Sequence, residues 1–141
     1  MYLTDTNVLA ELTKLRPDPL VLAWFDAQRE LTVSAVTLEE LAFGVARARA
    51  EQAERLARWL DALLAASPTI LPVDERVALS AGRLRAAREA TGRVVAQADM
   101  LIAATASVSA RVLVTRNVRD FEGCGVALLN PFAPSPRASR R

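Results

Sequence analysis

The sequence predicts an α/β fold, one domain built on a parallel sheet with helices on both faces. Short β-type runs alternate with longer helical stretches along the chain, the pattern that covers a parallel sheet on both sides. At 141 residues, 52% of them hydrophobic, the chain has the length and composition to bury one core. It shows no internal repeat. The domain spans 1–132, and 133–141 is a tail rich in Pro, Ser and Arg that is expected to be loose.

Tyr2–Thr4 reads as the first strand and Asn7–Leu15 as a helix stopped before Pro17. Pro19–Glu30 follows as a helix with Leu20, Ala23 and Trp24 at helical spacing. Thr32–Ser34 is a strand, and Leu38–Arg49 and Glu51–Ala66 form a helical pair. Thr69–Pro72 is extended. Glu75–Thr91 is a helix with Asp74 as its N-cap and Gly92 as its stop. Gln97–Ser109 is an apolar helix, Val112–Thr115 a strongly β-type strand and Val126–Leu129 the last strand.

Composition removes several chemistries. There is no histidine, and Cys124 is the only cysteine. Histidine triads, Cys–His pairs, intrachain disulfides and thiolate-rich zinc sites are excluded. An enzyme built from this chain works with carboxylates, hydroxyls, arginines or a hard metal ion held by oxygen. Net charge is only +2, and Lys14 is the only lysine, so every other basic residue is arginine. Arginine suits phosphate and protein carboxylates alike, so composition alone does not choose a partner. No apolar run approaches the ~20 residues that span a bilayer, and no basic-then-apolar leader precedes Leu3; the expectation is a cytoplasmic protein without membrane contact.

In open parallel sheets, ligands bind beyond the carboxyl ends of the strands. Asp5 directly follows the first strand, and Glu40 falls in the first turn of the helix after Thr32–Ser34. Asp99 starts the helix that feeds Val112–Thr115, with Asn117 and Asp120 just beyond that strand. Crowded carboxylates repel and raise one another's pKa, a cost that a divalent hard cation removes. Such an ion lowers the pKa of a bound water and stabilises charge on a phosphoryl group. Each residue also has a structural explanation. Asp5 suits an N-cap, Thr37 and Glu40 match a capping box, Asp99 suits a helix start, and Asp120 suits a turn. Together the four acids favour a metal site.

The words around these acids resemble the PIN-domain family. Leu3-Thr4-Asp5-Thr6-Asn7-Val8-Leu9 is similar to its opening Asp-Thr-Asn motif. Val33–Gly44 resembles the second motif, with Glu40 directly before Leu41 and four residues before Gly44. Ala98–Ala106, Leu113–Phe121 and Asn130-Pro131-Phe132 resemble the remaining motifs in order. Spelling and length fit the VapC and FitB-like toxins of type II toxin–antitoxin pairs.

The resemblance implies a PIN-like fold with a central parallel sheet of about five strands. It also implies Mg²⁺- or Mn²⁺-dependent endoribonuclease activity on RNA phosphodiesters. Asp5 and Asp99 are then the main metal ligands, and Glu40, rather than the adjacent Glu39, completes the site and positions the attacking water. The fourth-acid role stays divided between Asn117 and Asp120. Thr6, Asn7 and Thr115 are candidate hydrogen-bonders to the ligands. Arg116 is a candidate contact for a scissile phosphate. Arg83, Arg85, Arg88 and Arg93 read better as a solvated face with local ion pairs than as an RNA path. The Arg137–Arg141 end reads equally as a nucleic-acid arm or as solubilisation.

Implied partners are RNA, a cognate antitoxin, a second copy in a homodimer, and operator DNA through the antitoxin complex. Phe43, Val45, Trp59, Leu60, Leu63 and Leu64 exceed what one helix face needs, though an ordinary core also has room for them. The alternative is a weakly catalytic or non-catalytic PIN protein acting within a DNA-binding antitoxin complex. A receiver-like signalling domain also gathers acids at a sheet edge but needs a late lysine, which this chain lacks.

Overall fold

The structure is a computed structural model and describes residues 1–134; the Arg137–Arg141 end and most of the 133–141 tail lie outside the described residues. Strand β1 (Tyr2–Thr4) pairs in parallel with β4 (Val112–Val114), which pairs in parallel with β5 (Leu128–Leu129). Strands β2 (Thr32–Ser34) and β3 (Thr69–Leu71) form a separate parallel ladder. The five expected strands are therefore present, but as a three-stranded sheet beside a two-stranded one. At the gap Arg111 Nη1 donates to Tyr2 O on β1 and to Thr32 Oγ1 on β2, each at 3.3 Å.

Alternation along the strands covers both faces of the main sheet. Leu3, Leu113 and Leu128 point into one core with Val77, Ala81 and Met100. Val114 and Leu129 point into the opposite core with Val8, Val21 and Trp24, and Tyr2 meets the Trp24 ring edge-on at 5.5 Å. A third cluster joins Leu9, Val33 and Leu41 to Trp59, Leu60 and Leu63.

The helices are α1 (Thr6–Glu11), α2 (Pro19–Asp26), α3 (Ala35–Ala46), α4 (Ala50–Ala65), α5 (Glu75–Ala90), α6 (Gln97–Val108) and α7 (Val118–Phe121). Four depart from the sequence expectation. Helix α2 ends at Asp26, four residues before Glu30, where Gln28 Nε2 donates back to Trp24 O at 2.9 Å. Helix α1 stops at Glu11, four residues early, where Thr13 Oγ1 donates back to Ala10 O at 2.7 Å and Glu11 turns inward to accept from Asp18 N. Helix α3 starts at Ala35, three residues early, because Ser34 Oγ caps it by accepting from Val36 N at 3.1 Å. Thr37 is therefore a buried residue inside the helix, not a cap, and Glu40 stands in the second turn rather than the first. Helix α7 has only one turn, where the sequence predicts no helix. Among the six candidate apolar residues of α3 and α4, Trp59, Leu60 and Leu63 are absorbed by core, while Phe43 and Leu64 stay exposed.

Ser34→Ala is expected to cost about 1 kcal/mol of stability, read by chemical denaturation, because it orphans the α3 amides. Thr37→Ser should cost less, since it retains the hydroxyl and removes only one buried methyl.

Candidate active site

Each strand of the βα units delivers its following helix to the carboxyl edge of the sheet. Asp5 leaves β1 and caps α1, accepting from Thr6 N at 2.7 Å through Oδ1. Its own amide continues the ladder, donating to Val114 O at 2.9 Å. Oδ2 accepts from Thr115 Oγ1 at 2.8 Å and from Asn7 Nδ2 at 3.2 Å. Thr115 is itself held by its amide on Leu129 O, so β4 and β5 together aim its hydroxyl. The cap explanation for Asp5 is thus correct as far as it goes, but it engages only one oxygen of a buried carboxylate.

Glu40 comes from α3. Its Oε1 accepts from Thr6 Oγ1 at 2.7 Å, and Thr6 Oγ1 lies 3.1 Å from the buried Thr37 hydroxyl. The capping-box explanation of Glu40 fails, because the helix begins two residues before Thr37. Glu39 is exposed.

Asp99 is the third residue of α6, which runs back along the sheet towards β4. Ala103, Ala104 and Ala106 are fully buried, so α6 lies close against the strands and its start is carried to Asp5. Asp120 comes from the single turn α7.

These four acids act on one another. Burial raises the Asp5 pKa most, with Glu40 and Asp120 adding repulsion. Asp99 is pushed up to about 6, first by burial and then by Asp5, Asp120 and Glu40 in turn. Among the described residues, the ion pairs are Lys14–Glu11, Arg58–Glu54 and Arg85–Glu89, none of which neutralises the four acids. Nor, among the described residues, do three acids converge as ready metal ligands. That donor set fits a hard cation held by one or two carboxylates and several waters, and does not fit a closed all-protein cage.

Asn117 and Arg116 are placed differently. The Asn117 amide donates to Thr115 Oγ1 at 3.1 Å, and its side chain makes no capping bond to α7. The Arg116 amide donates to Asn7 Oδ1, and its guanidinium stacks on Phe132, 4.6 Å from the ring centroid. Arg88, weighed with Arg83, Arg85 and Arg93 as an RNA path and read in preference as part of a solvated face, is not solvated. It is buried, and it lines a cleft of about 480 Å³ with Arg93, Arg119, Asp99 and Asp120. A signal was present, since Arg88 extends the Val77–Ala81–Leu84 stripe at helical spacing, where an apolar residue is expected.

Acids gathered at the carboxyl edge of parallel strands are consistent with a nuclease fold, and the chain belongs to the PIN domain family, matching it over residues 2–123. It is 37% identical over 140 residues to VapC ribonuclease Y4jK of Sinorhizobium fredii, covering 96% of this chain and 100% of that one. It is 35% identical to Toxin FitB of Neisseria gonorrhoeae, over 94% of this chain and 99% of the toxin. The solved structure of FitAB bound to an IR36 DNA fragment superposes with a TM-score of 0.82 at 33% identity, over 97% of this chain and 99% of that one.

The raised Asp99 pKa has a signed consequence for metal-free protein. The folded state holds the Asp99 proton up to about pH 6, whereas the unfolded aspartate releases it near 3.8, so the neutral form favours folding at low pH. That advantage is lost as pH rises through the window. Relative to the parent, Asp99→Asn is expected to gain stability between those two pH values and to stay level above them, measured by urea unfolding in EDTA.

Proposed function

We propose that the chain is a Mg²⁺- or Mn²⁺-dependent endoribonuclease and the toxin of a VapBC-like pair. One observation carries this reading: four carboxylates share the sheet edge without a cationic partner among the described residues, and burial and mutual repulsion raise the pKa values of Asp5 and Asp99. Asp5 and Asp99 would hold the cation, with Glu40 completing the site. The bound ion would supply a more acidic water and charge stabilisation at the phosphoryl group.

The chain's own residues set the geometry for that chemistry. Thr6 fixes Glu40 Oε1 and thereby the position from which Glu40 orients the attacking water and takes its proton. Thr115 and Asn7 fix Asp5 Oδ2, aiming the remaining lone pairs of the carboxylate. Asp120, which lines the same cleft as Asp99 and acts on both Asp5 and Asp99, is assigned the fourth-acid role. Asn117 is assigned to support Thr115.

The partner reading follows the relatives. An antitoxin segment would use the apolar groove of about 190 Å³ lined by Ala10, Leu41, Val45, Leu56 and Trp59, which runs up to Thr6 and Glu40. A peptide lying there would reach the acids and cover them. Homodimerisation, operator binding through the antitoxin complex and a cytoplasmic site of action complete this reading. No helix among the described residues is long and apolar enough to cross a membrane.

Incubation of the purified chain with total RNA and Mg²⁺ or Mn²⁺ tests the reading. Discrete cuts are expected, abolished by EDTA, Asp5→Asn and Asp99→Asn, and slowed roughly 10- to 100-fold by Thr6→Val. Undiminished cutting by both aspartate variants would place the chemistry elsewhere.

A further inference from the structure

The four arginines on and just after α5 separate into distinct environments. Arg85 pairs with Glu89 at 3.6 Å on an exposed face, and Arg83 is exposed outside the cleft. Arg88 and Arg93 instead turn towards α7. Arg88 is 8% exposed, and its Nη1 donates to Glu122 O just after α7. Its Nε and Nη2 are buried with no hydrogen-bond partner. Arg93 Nη1 donates to Arg119 O at 3.1 Å, which ties the loop after α5 to α7. Arg119 lines the same cleft.

Three arginines thus line a cleft together with Asp99 and Asp120, yet no arginine there forms an ion pair with either acid among the described residues. A buried guanidinium with two unmatched donors is costly unless its charge is used. Gly123 keeps the backbone close to it: its φ is +81°, and a Cβ there would stand 2.6 Å from Arg88 Nη1. Two opposite charges held apart across about 480 Å³ leave room for a third group that answers both. An anion in that space would meet the arginines beside the acids assigned above to the metal site.

We propose that this cleft is a subsite for an RNA backbone phosphate next to the one that is cut, with Arg93 and Arg119 contacting its oxygens and Arg88 supplying buried positive charge behind them. The proposal rests on the ribonuclease reading above. It assigns the arginines to substrate rather than to the antitoxin, because they open on Asp99 and Asp120 and not on the apolar groove beside α4. A contact to phosphate alone carries no base preference, so the subsite sets the register of the strand without choosing its sequence.

The test is steady-state cleavage of a labelled, mixed-sequence single-stranded RNA with Mg²⁺, across a salt series. Arg93→Ala and Arg119→Ala are each expected to lower kcat/KM roughly tenfold, mainly through KM, as expected for a lost charge-assisted contact. Each should also make the dependence of log(kcat/KM) on log[salt] shallower by about 0.7, the value for one phosphate contact on a single strand. Arg58→Ala removes the same charge from an exposed position on α4 and should change neither quantity. Arg93→Lys and Arg119→Lys retain the parent's salt slope if the cleft reads charge, and fail with the alanine variants if the arginines only hold the fold. Parent-like KM and slope in the alanine variants overturn the subsite and leave the ribonuclease standing; weakened antitoxin binding in those same variants would give the cleft to the partner. A parent chain that cuts no RNA removes the ribonuclease reading and the subsite together.

Discussion

Asp5 is a carboxylate that the fold has taken out of water at the point where three elements meet. Its three hydrogen-bond donors come from the start of α1 (Thr6 N and Asn7 Nδ2) and from the end of β4 (Thr115 Oγ1). A buried carboxylate is tolerable only when its lone pairs are engaged, and three such bonds offset much of the desolvation. The same bonds fix the local geometry. They tie α1 to β1, lock β1 to β4 one residue beyond the strands, and draw Thr115 into register with β5. A shift of one residue between β1 and β4 would turn the Thr115 hydroxyl to the other face and leave Asp5 buried and under-bonded.

From that anchor the remaining acids follow by topology. Parallel strands place the starts of α1, α3, α6 and α7 along one edge, and buried alanines let α6 approach closely enough for Asp99 to feel Asp5. Hydroxyl groups then do the aiming, with Thr6 on Glu40 and Thr115 on Asp5. The result is a negative edge that no ion pair among the described residues neutralises. Arginine-lined space lies directly beside it, so opposite charges are neighbours without being partners. A surface that only needed solubility would let Arg93 and Arg119 pair with Asp99 and Asp120.

Much of this was legible in residue order, and the failures have physical causes. Strand cores such as Val112-Leu113-Val114, the positions of Asp5 and Glu40 after their strands, and that of Asp99 at the start of the helix that feeds β4 follow from pattern and from where parallel sheets bind ligands. The start of α3 was misplaced because Ser34 and Thr37 are both good caps, and only the burial of Thr37 decides between them. The single turn α7 is too short to show periodicity. The break between β1 and β2, which Arg111 bridges, is a long-range feature that local propensity does not register. Arg88 was grouped with its exposed neighbours on composition, although its place on the α5 apolar stripe marked it as different.

The central claim is that the acidic edge is built for a divalent cation. Mn²⁺ titration of the full-length chain followed by electron paramagnetic resonance tests it without reference to any substrate. The account predicts saturable Mn²⁺ binding that Asp5→Asn and Asp99→Asn each weaken by about tenfold or more, with Mg²⁺ competing for the same site. Binding that both variants leave unchanged, or no binding by the parent chain, would contradict it.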